Sequence, residues 1–208
     1  MDGTLVDTKE DITRAANAML AHLGEKPLSV LEVCHFVGSG LRELVRRCLN
    51  SDDPERIEKG MEIYRAYYRD HLLDRARLYP YAREVLEHFK SRRQAVVTNK
   101  PNPYPRDLLA GLGVAGYFIE IVAGDSGWGR KPDPTAVLSI MQKVGVSTEG
   151  TLLVGDSPID VQTGRNAGIF TVGVAHGFVE AAELKASSPD LMVGDLKEFL
   201  ETARRLAW

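Results

Sequence analysis

Thr151-Leu152-Leu153-Val154-Gly155-Asp156-Ser157-Pro158-Ile159-Asp160 is the stretch whose reading decides the fold. An apolar run ends at a glycine, and Ser-Pro then opens a segment with helical spacing, which predicts a strand handing over to a helix. Asp156 leaves the strand end and Asp160 follows on the first turn of the helix. Gly155 lets the backbone approach closely. Two carboxylates turned toward one point repel unless a cation sits between them, and hard oxygen ligands with room for water suit Mg²⁺. Capping of the helix by Asp156 or Ser157 is the competing explanation.

The same alternation extends in both directions. Apolar runs at 94–98, 118–122, 151–154, 170–174 and 191–193 alternate with helical patterns at 82–92, 103–112, 133–145, 158–167, 178–186 and 195–206. This predicts an α/β fold with a mostly parallel sheet and right-handed crossovers. Residues 9–78 instead read as helices throughout, over 11–22, 41–49 and 57–73, and the tyrosines at 64, 67 and 68 read as helix packing. Ligands of such sheets sit at the carboxyl ends of the strands.

Those ends carry unusual residues. After Val97 comes Thr98-Asn99-Lys100-Pro101, where a hydroxyl and an amide beside free backbone N–H groups could grip phosphate oxygens or simply end the strand as a turn. After Val122 comes a glycine-rich loop, Gly124 to Gly129, followed by Lys131-Pro132-Asp133-Pro134. Asp133-Pro134 reads as a helix start that holds Lys131 on the rim. At the other end, Met1-Asp2-Gly3-Thr4 is a turn of the kind that leaves a strand and closes around phosphate, yet no strand precedes it.

Bulk properties exclude some classes. The 208 residues carry 26 Lys and Arg against 29 Asp and Glu, net −3, so nothing electrostatic favours nucleic acid or an anionic membrane. No window approaches the ~18 apolar residues of a membrane span, and no signal peptide is legible. Cys34 and Cys48 lack metal-ligand spacing and read as reduced thiols of a cytoplasmic protein.

Taken in order, Asp-Gly-Thr, strand-Thr-Asn, Lys-Pro-x-Pro and strand-Gly-Asp-Ser-x-x-Asp resemble the haloacid dehalogenase superfamily of phosphohydrolases, over essentially the whole chain. Within it, Val37 to Leu44 and the segments around 97–101, 124–126 and 155–168 look like those of phosphoglycolate phosphatases. The resemblance implies a Rossmann-like parallel core, 1–8 and 79–208, with an inserted α-helical cap, 9–78, and a Mg²⁺-dependent two-step phosphoryl transfer through an aspartyl phosphate. Asp2 matches the acid/base residue, and its backbone carbonyl a Mg²⁺ ligand. Thr98 and Asn99 match the phosphate-binding position and its neighbour. Lys131 matches the lysine that bridges nucleophile and phosphate, and Asp156 the metal carboxylate. Asp160 matches a second carboxylate acting through water or orienting Lys131. Ser39, Gly40 and Arg42 fall where the cap closes over the organic part of the substrate, with Arg42 a candidate for a substrate carboxylate.

The nucleophile of that pattern would stand immediately before Met1. Asp2 in its place would put Thr4 at the second Asp and the Gly-Thr pair at Leu5-Val6, where it is not, and Asp7 lies too far on. The central first strand is also missing from the chain. A start placed too late, at a methionine inside the motif, explains both, and this form is expected to be inactive or severely impaired. The substrate expected is a small phosphorylated metabolite, 2-phosphoglycolate first, with pyrophosphate or a sugar phosphate as alternatives, acted on by a monomer or homodimer. The rival expectation is a non-catalytic protein that keeps the phosphate and metal pocket for regulation.

Overall fold

The computed structural model describes residues 1–208, and its two halves follow the two sequence patterns. Four helices make the cap: α1 (Lys9–His22), α2 (Val30–Phe36), α3 (Leu41–Leu49) and α4 (Pro54–Asp70). Ile12, Ala16 and Met19 of α1 and Ile57, Met61, Tyr64 and Tyr68 of α4 bury one face each in a shared cluster. Gly60 is what lets α4 approach: a Cβ there would meet Val45 Cγ1 at 2.8 Å and Met19 Sδ at 3.1 Å. The helix α2 had no sequence-based prediction. Its seven residues bury only Val33 and Cys34, too few to print a periodicity, and its start is secured by Ser29 and Glu32 in a capping box.

The cap joins the core through a two-residue antiparallel ribbon, β1 (Val6–Asp7) with β2 (Arg77–Leu78). The core then runs α5 (Ala82–His88), β3 (Gln94–Val97), α6 (Tyr104–Gly111), β4 (Phe118–Val122), α7 (Thr135–Val144), β5 (Leu152–Gly155), α8 (Pro158–Ala167), β6 (Phe170–Val174), α9 (Ala181–Ala186), β7 (Leu191–Val193) and α10 (Leu196–Arg205). Each expected strand and helix of the α/β half is present, with ends displaced by a few residues.

All core pairings are parallel, but they fall into two sheets, β3 with β4 and β5 with β6 and β7. No strand runs between β3 and β5. Their facing edges border an apolar cavity of about 910 Å³, lined among others by Leu5, Val96, Val97, Leu153, Val154 and Phe199. The core is thus a divided sheet. Trp128 packs against the cluster of Val122, Ala136 and Ile140.

Candidate active site

Three chain segments converge where β3 and β5 end. The α8 turn supplies Asp156 and Asp160, both buried. Asp160 caps its own helix: its Oδ2 accepts from the Ser157 hydroxyl at 2.6 Å and the Ser157 N–H at 3.2 Å. Its Oδ1 accepts from Lys131 Nζ at 2.5 Å. Burial alone would raise the Asp160 carboxyl, but the Lys131 ammonium and these hydrogen bonds hold it below its ordinary value.

Asp156 is held differently. Its Oδ1 accepts from Thr4 Oγ1 at 2.7 Å and its Oδ2 from the Phe178 N–H at 3.0 Å. Gly3 and Gly177 press on it: a Cβ at either would fall within 2.2 Å of an Asp156 atom. Burial, and then the charge of Asp160, push the Asp156 carboxyl up. The Met1 amino group is buried beside these charges, and desolvation and Lys131 lower it.

No group of three carboxylates, histidines or cysteines is assembled as a ready metal cage. Asp2, Asp156 and Asp160, the expected ligand set in which Asp2 serves through its backbone carbonyl, nevertheless line one cavity. Asp160, unlike Asp156, is neutralised by the Lys131 ammonium, which makes it an orienting group for Lys131. Oxygen donors suited to a hard cation are present all the same. The buried Asp156 carboxyl makes no ion pair, and the backbone carbonyl of Asp2 accepts no hydrogen bond while that of Met1 accepts three. Asp156 and the Asp2 carbonyl fit a magnesium ion that keeps several waters.

Asn99 is a clasp. Its Nδ2 donates to the Gly38 carbonyl of the cap loop at 2.8 Å and to the Lys131 carbonyl at 3.0 Å, and its Oδ1 accepts from the Lys131 N–H at 2.8 Å. With its side chain fully engaged, Asn99 ties cap, β3 and the Lys131 loop together rather than offering its amide to phosphate. Gly124 permits the close approach, since a Cβ there would stand 2.5 Å from the Asn99 carbonyl oxygen. Thr98 is buried at the strand end and lines the cavity.

That cavity, about 90 Å³, lies between cap and core and takes in Asp2, Thr98, Asn99, Lys131, Asp156 and Asp160, with Gly40 from the cap. Ser39 and Arg42 are not among its lining residues. Arg42 leaves nearly half its side chain exposed and pairs with Glu58 of α4, because α3 turns Leu41, Leu44 and Val45 inward and that face excludes position 42.

Two residues that sequence reasoning passed over belong to the site. Lys100 Nζ stands 3.1 and 3.2 Å from the two carboxylate oxygens of Asp2 and donates to the Tyr68 hydroxyl at 2.7 Å. Lys100 stood inside the quoted Thr-Asn-Lys-Pro segment, so its signal was there. Tyr68 gave none that separates it from a packing tyrosine.

Comparison with known proteins adds to this geometry. A family model described as haloacid dehalogenase-like hydrolase matches residues 1–174. A phosphoglycolate phosphatase of Neisseria meningitidis is 39% identical, the match covering 97% of this chain and 90% of the relative. One from Pseudomonas putida is 35% identical, covering 96% of this chain and 76% of the relative. The crystal structure of a predicted phosphoglycolate phosphatase from Haemophilus somnus superposes with a TM-score of 0.92 at 28% identity, covering 98% of this chain and 95% of that one.

Proposed function

The chain belongs to the haloacid dehalogenase-like hydrolase family, and on that premise we propose that it hydrolyses small phosphate monoesters through an aspartyl phosphate, with 2-phosphoglycolate as substrate. One observation carries the reading: Lys131, Asp156 and Asp2 line a single buried cavity under the cap loop. Its volume of about 90 Å³ is far below the roughly 300–1,000 Å³ of pockets that enclose drug-sized ligands. That favours a two-carbon ester over a hexose phosphate, as do the names of the relatives.

In the proposed reaction a carboxylate oxygen attacks phosphorus, the ester P–O bond breaks, and Asp2 gives its proton to the leaving oxygen. Water then attacks the phosphorus of the acyl phosphate, passes a proton to Asp2 and releases phosphate, which regenerates both carboxyl groups. Lys131, aimed by Asp160, balances charge between nucleophile and phosphate. Magnesium held by Asp156 and the Asp2 carbonyl would, when bound, offset the repulsion between two anions. The cap loop, clasped by Asn99, keeps water from the ester.

We place the protein in the cytoplasm, where Cys34 and Cys48 stay reduced. Burial raises these thiols to about 11 and about 12, which makes them unreactive.

Phosphate release from 2-phosphoglycolate, pyrophosphate and glucose 6-phosphate tests the proposal, with Lys131→Ala and Asp156→Ala beside the parent protein. Preferential turnover of phosphoglycolate that each substitution lowers by orders of magnitude supports it. Turnover that both substitutions leave untouched sinks the site assignment, and no turnover of any of the three sinks the phosphatase reading.

A further inference from the structure

Lys100 and Lys131 are the two cationic side chains that line the cavity. Lys131 is committed to Asp160 and the phosphate end. Lys100 is as deeply enclosed, with 7% of its side chain exposed, and an ammonium held out of water needs anionic partners throughout the reaction cycle. Its present partner is Asp2, which retains a second donor, Thr8 Oγ1 at 2.8 Å, when Lys100 leaves. The ammonium also lies over the Tyr68 ring, 4.6 Å from its centroid. The Tyr68 hydroxyl accepts from Lys100 and makes no other hydrogen bond, so its own hydrogen is free to donate.

We propose that Lys100 and Tyr68 are specificity-determining residues that capture a second anionic group on the substrate, a carboxylate or phosphate set two atoms from the ester oxygen. The proposal rests on the phosphatase reading, and Asp2 gives it its geometry. If the Asp2 carboxyl serves the leaving oxygen, then Lys100, one hydrogen bond further out, stands where a group two atoms along that leaving chain would arrive. Binding exchanges partners: the ammonium passes from Asp2 to the incoming anion, and the tyrosine O–H adds a second donor. Arg42, the cation that sequence alone put in this role, is on the outer face of the cap. Arg130, near Gly40, is exposed and donates to the Gly124 carbonyl.

The test is titration calorimetry on residues 1–208, in buffer with and without magnesium, using 2-phosphoglycolate and ethyl phosphate, which differ only in the carboxylate. The wild-type chain should prefer phosphoglycolate by about tenfold or more, the worth of a charge-assisted hydrogen bond. Lys100→Gln should bring the ratio to within about threefold, and Lys100→Arg should restore most of it. Tyr68→Phe keeps the ring packing and should lower the ratio several-fold, so the proposal stays exposed even if Lys100→Gln does not fold. A ratio near one in the wild-type chain, or a full ratio in Lys100→Gln or Tyr68→Phe, overturns it. Ethyl phosphate binding that is insensitive to Lys131→Ala points instead to failure of the phosphatase reading. Absence of binding by either ester overturns both.

Discussion

Lys131 Nζ and Asp160 Oδ1 form a 2.5 Å ion pair in which neither side chain is more than 9% exposed. Removing one partner of such a pair strands the other charge in a dry site, at a cost of about 3–5 kcal/mol. Lys131→Ala and Asp160→Asn should therefore each lower stability, and both should weaken phosphate binding. Urea unfolding beside phosphate titration checks this. A Lys131→Ala chain as stable as wild type would show that the pair is relaxed in solution.

Asn99 links the cap loop to two core segments through three hydrogen bonds. Asn99→Ala should leave those backbone groups unpaired at about 1–3 kcal/mol in all and free the loop around Gly38. Hydrogen exchange at residues 37–40 should accelerate while exchange in β5 and β6 is unchanged. Uniform acceleration across the core would mean that Asn99 supports the whole fold rather than the clasp.

Glu43 is held at about 2, from an ordinary 4.5, by hydrogen bonds from Arg46 and Arg47. A carboxyl depressed on folding stabilises the native state above its unfolded value and loses that contribution as pH falls toward the folded one. Glu43→Gln should thus melt below wild type near neutrality, by less than about 1 kcal/mol for a pair close to the surface. The difference should close as pH falls from 4.5 to about 2. Thermal melts across that range decide, and a gap that persists at the acid end argues against the pairing.

The slot between β3 and β5 combines apolar walls with unpaired strand edges. Residues 1–208 should bind an apolar dye such as anilinonaphthalene sulfonate. Leu153→Asp, which puts a charge on the wall of the slot, should lower dye fluorescence, and fluorescence unchanged by it would place the dye elsewhere.

Much of the core was legible in the sequence because its signals are local. A buried parallel strand must be a short apolar run, and its helix must show a stripe. The turn residues between them, such as Gly155-Asp156-Ser157, announce themselves by type. The helix α2 was not legible, since it buries two residues and shows no period.

The alternation of strands and helices, the strand-end location of Asp156 and the likeness to phosphohydrolases could all be read along the chain. Which cation faces which anion could not. Arg42 and Lys100 are both plausible partners for a carboxylate by residue type, and only the packing of α3, which turns Leu41, Leu44 and Val45 inward, excludes one. Lys100 meets Asp2 across 98 positions of chain and Tyr68 across 32. Contacts at that separation leave no periodic trace in sequence, because the folded backbone creates them. Tertiary structure likewise decided that Asp160 aims a lysine and that Asn99 fastens the cap, since each depends on where hydrogen-bond donors arrive after the chain has closed.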